Sequence, residues 1–492
     1  MFTNVHRKQS QLTITILVLL TNLYSDAFAS NQEQPLLSWQ TPLPRIQDFI
    51  HNTQHLETLG KHHIVVVHGE TKNYSISESE KHAVNNQTEI TGSTNNGGTN
   101  NSSIKNSNAS VTLYPLPDED IQLTYAFTVI RAPEDTVRKT LMDFGHYRRT
   151  MPHIIESELL QQKDNHWLGQ YRLTFQMPLL SFEPQVQIQH TLLDNGDLIE
   201  RRVAGDIDYS VARWQIIALD KHRTLLVQTS WADIGSVSWL MRLVFAAQPD
   251  MNRLSPLTAA ALTIQSLKER IERKHFSRNQ RLYATKLLFP DSTHYLTSLS
   301  TSQRGALHLL TKLGTVNMVS SAIQFSHQRN SFTLQPILSA ISVPTPYKTL
   351  KSRATNIASY PKYMRTISDI EDVVDDTAHH QSQWSLGFNF AVFTFDIDFG
   401  IEGLWNDNQT QFSFASTQGD FNPLLGQINW YPNASPNDTS TLITMALAHN
   451  INDNAGYILN AIKHIPYSQM FAGLYVGTLL IEGQQELAYK PR

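Results

Sequence analysis

The chain of 492 residues contains no cysteine, which excludes disulfides, thiolate metal sites and cysteine nucleophiles. Positive charge is also short: 39 Lys and Arg stand against 43 Asp and Glu, a formal net charge of −4. Nucleic acid is therefore not an expected partner, because phosphate-binding domains carry clustered basic residues. The glycines are scattered, with no phosphate loop or dinucleotide fingerprint before a helix, and no Ser-His-Asp arrangement is visible. The closest histidine pairs, His62-His63 and His379-His380, point apart on a strand and lack a spaced third ligand, so no metal and no cofactor is expected. No catalytic constellation is expected either.

Long apolar runs are scarce after the first segment. There, His6, Arg7 and Lys8 precede an apolar stretch from Leu12 to Leu23, and Ala27-Phe28-Ala29 comes before Ser30. This is the pattern of a secretory signal cleaved after Ala29. Its apolar core is about a dozen residues, short of the roughly 20 that span a bilayer. The mature chain, 30 onwards, is expected to be soluble and outside the cytoplasm, in a bacterial periplasm or otherwise extracellular.

What remains is 40% apolar and 17% charged, enough for two or more ordinary cores. From Lys72 to Ser110 the chain is rich in Asn, Ser, Thr and Gly, with no aromatic residue between Tyr74 and Tyr114. Such a stretch buries too little surface to offset its ordering entropy and is expected to be a flexible loop.

The chain also repeats itself. Ala132 to Ile154 matches Thr345 to Ile367 without gaps at a spacing of 213, with identities at Pro133/Pro346, Thr136/Thr349, Tyr147/Tyr360, Met151/Met364 and Ile154/Ile367. Gly205-Asp206 with Gly419-Asp420, and Thr224-Leu225-Leu226 with Thr441-Leu442-Ile443, follow in order at spacings of 214 and 217. Trp167 is paired with Trp384 at 217, and Leu59-Gly60 with Leu313-Gly314 at 254. Ordered matches of this kind argue duplication, with the Asn-rich loop inserted in the first copy only.

Each copy predicts a strand (Gln122 to Ile130; Phe332 to Ile341), a helix opened by Pro133 or Pro346, several strands of alternating pattern and a long closing helix. The first closing helix is expected from Ser255-Pro256, with Leu257, Ala261, Ile264, Leu267 and Ile271 on one face. The second follows Pro466, with Met470, Phe471, Leu474, Gly477 and Ile481 inward. The expected division is a signal peptide (1–29), an N-terminal segment packing with the first domain (30–69), a disordered insertion (70–112), a first domain (113–273), a linker with the N-terminal segment of the second copy (274–329) and a second, diverged domain (330–488).

Ala132-Pro133, Val137, Leu141, Asp143-Phe144, Tyr147 and Met151-Pro152, followed by Gly205, Trp214 and the strand Thr224 to Thr229, resemble the coenzyme Q-binding and polyketide cyclase branch of the START-like superfamily. The resemblance covers about 120 to 273. The second copy departs from it at Asn356, Arg365 and Ile428, while Gly426 and Pro432 still fit. The resemblance implies an α+β fold of two tandem helix-grip domains, each a curved antiparallel sheet wrapped around a long C-terminal helix over an apolar cavity.

Candidate cavity walls are Tyr171, Phe175 and Trp214 in the first copy and Phe388, Phe390 and Trp430 in the second; ordinary core packing is the competing role for each. Asp143 fits a turn, Tyr147 and Tyr360 fit packing anchors, and Arg201-Arg202 beside Glu200 fits either a headgroup contact or a solvated cluster. The expected function is binding or carriage of a hydrophobic molecule such as a lipid, quinone or polyketide-like compound, with transient membrane contact. Two alternatives stay open: an aromatase or cyclase type of enzyme using Tyr171, His190 or Arg202, and an envelope interaction module without ligand.

Overall fold

The structure is a computed structural model that describes residues 43–69, 122–177, 180–247, 249–273, 280–281, 299–327, 330–375, 379–390, 393–432, 439–464 and 467–488. The expected signal (1–29) and the expected insertion (70–112) lie outside the described residues. None of the described helices is long and apolar enough to cross a membrane.

The first half runs α1 (Ile46–Phe49), α2 (Thr53–Gly60), β1 (His63–Gly69), β2 (Thr124–Ile130), α3 (Glu134–Leu141), a 3-10 turn (Phe144–Arg149), β3 (Ile154–Lys163), β4 (His166–Leu173), β5 (Gln185–Leu192), β6 (Leu198–Gly205), β7 (Ser210–Asp220), β8 (Arg223–Ala232), α4 (Trp239–Ala247) and α5 (Pro249–Glu272). The second half runs α6 (Thr301–Leu310), β9 (Gly314–Ser320), β10 (Ile337–Val343), α7 (Tyr347–Ala354), a 3-10 turn (Ile357–Lys362), β11 (Ile367–Asp375), β12 (His379–Phe390), β13 (Phe393–Trp405), β14 (Gln411–Gly419), β15 (Phe421–Pro432), β16 (Thr441–Ile451), α8 (Tyr457–Lys463) and α9 (Ser468–Glu486). Strand, helix pair, antiparallel strands and closing helix thus occur twice, which is the tandem START-like order.

The two expected sheets are one. Sixteen antiparallel strands run in the order β11-β12-β13-β14-β15-β16-β10-β9-β1-β2-β8-β7-β6-β5-β4-β3, so each half mirrors the other about the β9–β1 pair. The physical reason lies in those two strands: Ile64 to Val67 and Val316 to Val319 are buried on both faces, and a strand buried this way cannot leave its backbone N–H and C=O groups unpaired at an edge.

Register makes the symmetry quantitative. Val66 lies opposite Ala126 across β1–β2, and Asn317 opposite Ser339 across β9–β10. Ala126 and Ser339 are 213 residues apart, the spacing of the repeat. Val66 and Asn317, 251 apart, are therefore counterparts, and they also pair with each other. A pseudo-two-fold axis normal to the sheet passes through that pair.

Several expectations change. The offset of the first strands is 251 rather than 254, because Gly60 ends α2 whereas Gly314 opens β9. Trp384 is the counterpart of Tyr171, not of Trp167: Tyr171 faces Val186 as Trp384 faces Phe399, and both pairs keep the 213 spacing. The first long helix starts at Pro249 and contains Pro256, since Met251 and Leu254 extend its apolar face one and a half turns upstream. Pro133 and Pro346 each sit one residue before their helix, at the N-cap. The strand expected over Phe332 to Ile341 breaks at Gln335-Pro336, where proline supplies no N–H to a ladder.

Identical ties recur in both halves. Tyr147 and Tyr360 donate their hydroxyls to the carbonyls of Leu141 (2.7 Å) and Ala354 (2.6 Å), and Thr224 and Thr441 donate theirs to Ala132 (2.8 Å) and Thr345 (2.7 Å). The tyrosines anchor the turn after each first helix, and the threonines the chain just before it.

One face of the sheet carries α5, against β1, β2 and β8, and α9, against β9, β10 and β16; the larger apolar core lies there. Arg253 of α5 and Glu482 of α9 make a two-pronged ion pair at 2.7 and 2.6 Å that ties the helices together. On the opposite face α1, α2 and α6 cover the central strands over a second core. Arg45 and Arg213 converge there on Asp197, fastening the segment before α1 to the outside of β7.

Candidate functional site

The interior positions of β12 to β16 are almost all large and apolar, and with α9 they enclose a pocket. Trp384, Phe399, Phe412, Phe414 and Phe421 supply its walls, with Met364 and Met445 as adaptable filler. The rings are in mutual contact: Trp384 on Phe399 at 6.3 Å, Phe399 on Phe421 at 5.9 Å, Phe412 on Phe414 at 5.7 Å. The free space amounts to about 30 Å³.

Two polar side chains line this pocket with an atom left unpartnered. His449 on β16 is 3% exposed and its Nε2 has no hydrogen-bond partner; Gln484 on α9 is 1% exposed and its Oε1 has none. Burial lowers the His449 pKa to about 4, so its ring is neutral at pH 7. The orientation of Gln484 follows from its neighbours. Its Nε2 approaches Met364 Sδ at 3.7 Å and the Tyr360 oxygen, whose own proton goes to Ala354. The amide oxygen is therefore the atom that remains without a donor. A buried acceptor without a donor costs about 1–3 kcal/mol and calls for a missing partner.

The same positions of the first half carry the opposite chemistry. His190 and Glu200 face each other across β5–β6; their counterparts across β13–β14 are Gly403 and Phe414. His190 Nε2 shares a hydrogen bond of 2.7 Å with the Tyr171 hydroxyl, and His190 Nδ1 lies 3.1 Å from Glu200 Oε1. That second contact is short in distance but outside hydrogen-bond angles. The Tyr147 hydroxyl sits 3.2 Å from Glu200, and the Trp214 indole N–H is turned towards it short of ideal geometry. Phe144 stacks on the His190 ring at 3.9 Å.

Burial alone would raise the Glu200 carboxyl, but His190, Trp214 and Tyr147 together hold it below its usual value. Burial, and then the Glu200 charge, drive the Tyr147 hydroxyl well above its ordinary range and raise that of Tyr171. Burial lowers His153 nearby to about 4. Tyr171, His190 and Glu200 thus form a buried line of hydroxyl, imidazole and carboxylate.

Of the cavity-wall candidates, Tyr171 and Trp214 meet in this polar cluster. Phe175 is half-buried, pairing with Phe182 in a small hairpin and packing on the core. Phe388 is buried against Tyr475 at 5.7 Å, and Trp430 is stacked between Tyr347 and Trp405; both lie in the second half's core, and neither lines the pocket. The side chain of Phe390 lies outside the described ones. Asp143 pairs with His146 at 2.7 Å rather than capping a helix. Arg202 donates to the carbonyl of Gly205, and Glu200 beside it points inward. The repeat had already marked Tyr360, Met364 and Trp384 of this lining, whereas His449, Gln484, the inward turn of Glu200 and the phenylalanine walls were missed.

No family model and no curated protein matches the chain. Among solved structures it is similar to the Zhui aromatase/cyclase from Streptomyces sp. R1128, at 17% identity over 31% of this chain and 94% of that one, TM-score 0.26. It is similar to the di-domain ARO/CYC StfQ from the steffimycin biosynthetic pathway at 8% identity, over 74% of this chain and 96% of that one, TM-score 0.25. It is also similar to a STAR-related lipid transfer protein fragment from Xanthomonas axonopodis at 16% identity, over 32% and 89%, TM-score 0.25. The tandem fold itself stands on the chain's own strand order, register and repeated ties.

Proposed function

We propose that the protein binds and carries an apolar small molecule, seated in the second half between the sheet and α9, with the strands curving around that helix as a grip. The observation that carries this is the pair of unpartnered buried atoms, His449 Nε2 and Gln484 Oε1, in an otherwise aromatic pocket. Apolar walls with a few convergent polar groups are the usual make-up of a small-molecule site. The free space of about 30 Å³ is far below the roughly 300 Å³ at which such sites begin, so the ligand enters by displacing side chains. Met364, Met445 and Leu480 line the pocket and can swing at small cost. The signal-like pattern of the first 29 residues supports a location outside the cytoplasm, where an apolar cargo such as a lipid or quinone needs shelter from water.

A second reading concerns the first half. The Tyr171–His190–Glu200 line favours proton transfer on a bound substrate, the work of an aromatase or cyclase type of enzyme.

Native mass spectrometry of the protein purified from its own host, followed by organic extraction, tests the first reading. A stoichiometric apolar molecule supports it. A ligand-free protein that takes up nothing from a panel of lipids and quinones overturns it and leaves an interaction module.

A further inference from the structure

The pocket has a length as well as a lining. Gly473 of α9 packs beside His449 of β16 and Gly477 beside Leu447, so the helix runs along that strand in the opposite sense, and Gly483 packs beside Met364 further on. Val476, Leu480 and Gln484 carry the helix side of the lining at one-turn spacing. From Gly473 to Gln484 the helix rises about 16 Å. The unpartnered His449 Nε2 and Gln484 Oε1 therefore belong to opposite ends of a slot, with Met445, Leu480 and the aromatic walls between them. One small polar group cannot serve both.

Each end makes its own demand. Gln484 Oε1 is an acceptor, because its amide nitrogen is turned to Met364 and Tyr360, so that end calls for a hydroxyl or an N–H. His449 Nε2 belongs to a neutral ring and pairs with a hydroxyl in either tautomer. No Lys, Arg, Asp or Glu lines the pocket, so a charged group at either end would be buried without a counter-charge. A molecule with one polar end leaves one of the two atoms stranded. Resting on the binding role proposed above, we infer that the second-half site selects an elongated apolar molecule that lies along α9 and carries an uncharged oxygen group at each end, a hydroxyl at the Gln484 end. A slender chain also asks least of a pocket with about 30 Å³ free, since it displaces fewer side chains than a compact molecule.

The test is a titration of the full chain with straight-chain diols hydroxylated at both ends, from six to sixteen carbons, each beside the primary alcohol of the same length. Trp384 in the pocket wall reports binding by fluorescence, and native mass spectrometry gives the stoichiometry. Near twelve carbons, where the two hydroxyls can reach both ends at once, the diol is expected to bind about tenfold or more tightly than the alcohol. At six carbons the second hydroxyl reaches no partner, and the alcohol is expected to bind more tightly. Gln484→Met and His449→Phe roughly keep the pocket's volume and each removes one polar end; each is expected to bring the best diol within about twofold of its alcohol, with melting temperature recorded to show that the variants fold. Alcohols that bind as tightly as their diols at every length overturn the two-ended inference while the carrier role stands, and so does a diol preference that survives both substitutions. No binding of any member overturns both.

Discussion

Val66 and Asn317 face each other at the centre of the sheet, each the counterpart of the other, yet one is apolar and the other polar. Around Asn317 a small network has grown: its Oδ1 accepts from Ser339 Oγ at 2.6 Å and from Thr478 Oγ1 at 3.2 Å, while its Nδ2 is buried without a partner. At the matching places the first half has Val66 and Ala126.

The first half therefore shows that this position tolerates an apolar solution. Asn317→Val alone is expected to cost about 1–3 kcal/mol, because it strands two buried hydroxyls. The triple change Asn317→Val, Ser339→Ala, Thr478→Val is expected to recover most of that loss. Urea unfolding of the two variants checks it; a triple variant no better than the single one would show that the network supplies real stability.

Gly205 and Gly419 both have positive φ, 113° and 107°, and in each a Cβ would meet the carbonyl of the strand alongside. Gly205→Ala and Gly419→Ala are each expected to cost upwards of about 2 kcal/mol, since left-handed strain and backbone contact add. Matching losses in chemical unfolding support the equivalence of the two halves; a neutral result at either site would contradict it.

The hydroxyl ties separate the halves. Tyr360→Phe removes the bond to Ala354 and the oxygen that Gln484 approaches and is expected to cost about 1 kcal/mol, whereas the single Tyr147 proton is shared between Leu141 and the Glu200 carboxylate, so Tyr147→Phe is expected to cost about 2 kcal/mol. Adding Glu200→Gln should shrink that difference, which a double-mutant cycle measures directly.

Acid destabilises this fold through its buried histidines. His68 and His449 are 5% and 3% exposed, and burial lowers each to about 4. Their unfolded value is about 6.5, so between pH 6.5 and 4 the unfolded chain binds protons that the native chain does not. The stability they contribute is present above that window and lost as pH falls through it. Glu200, held below its ordinary value, adds a loss of the same sign at lower pH. The urea midpoint is expected to fall steadily from pH 6.5 to 4, and His449→Phe to reduce the slope by up to about 1.4 kcal/mol per pH unit. An unchanged slope would mean that His449 is solvated.

The local ties were legible from the repeat, because Tyr147, Thr224, Gly205 and their partners act within a few residues or one strand pair. Trp384 was misassigned because a large aromatic matched another by chance four residues from its true counterpart, and only ladder register tells them apart. The join between β1 and β9 left no trace: both strands read simply as apolar, and their pairing links residues 251 apart. Glu200 looked solvated beside Arg201 and Arg202, since nothing in a charged triplet says which member turns inward. The pocket's walls depend on which face each strand presents, and alternation alone leaves that two-fold ambiguous.

Joining the halves edge to edge also governs how the molecule meets its own copies. Two separate sheets would present four open borders, two of them the greasy β1 and β9. Fusion leaves only β3 and β11 outermost, and these carry Glu156, Glu158 and Lys163 on one side and Asp369 and Glu371 on the other. Charged outer strands repel further pairing. Separating the halves would uncover the two apolar strand edges that the tandem arrangement keeps paired.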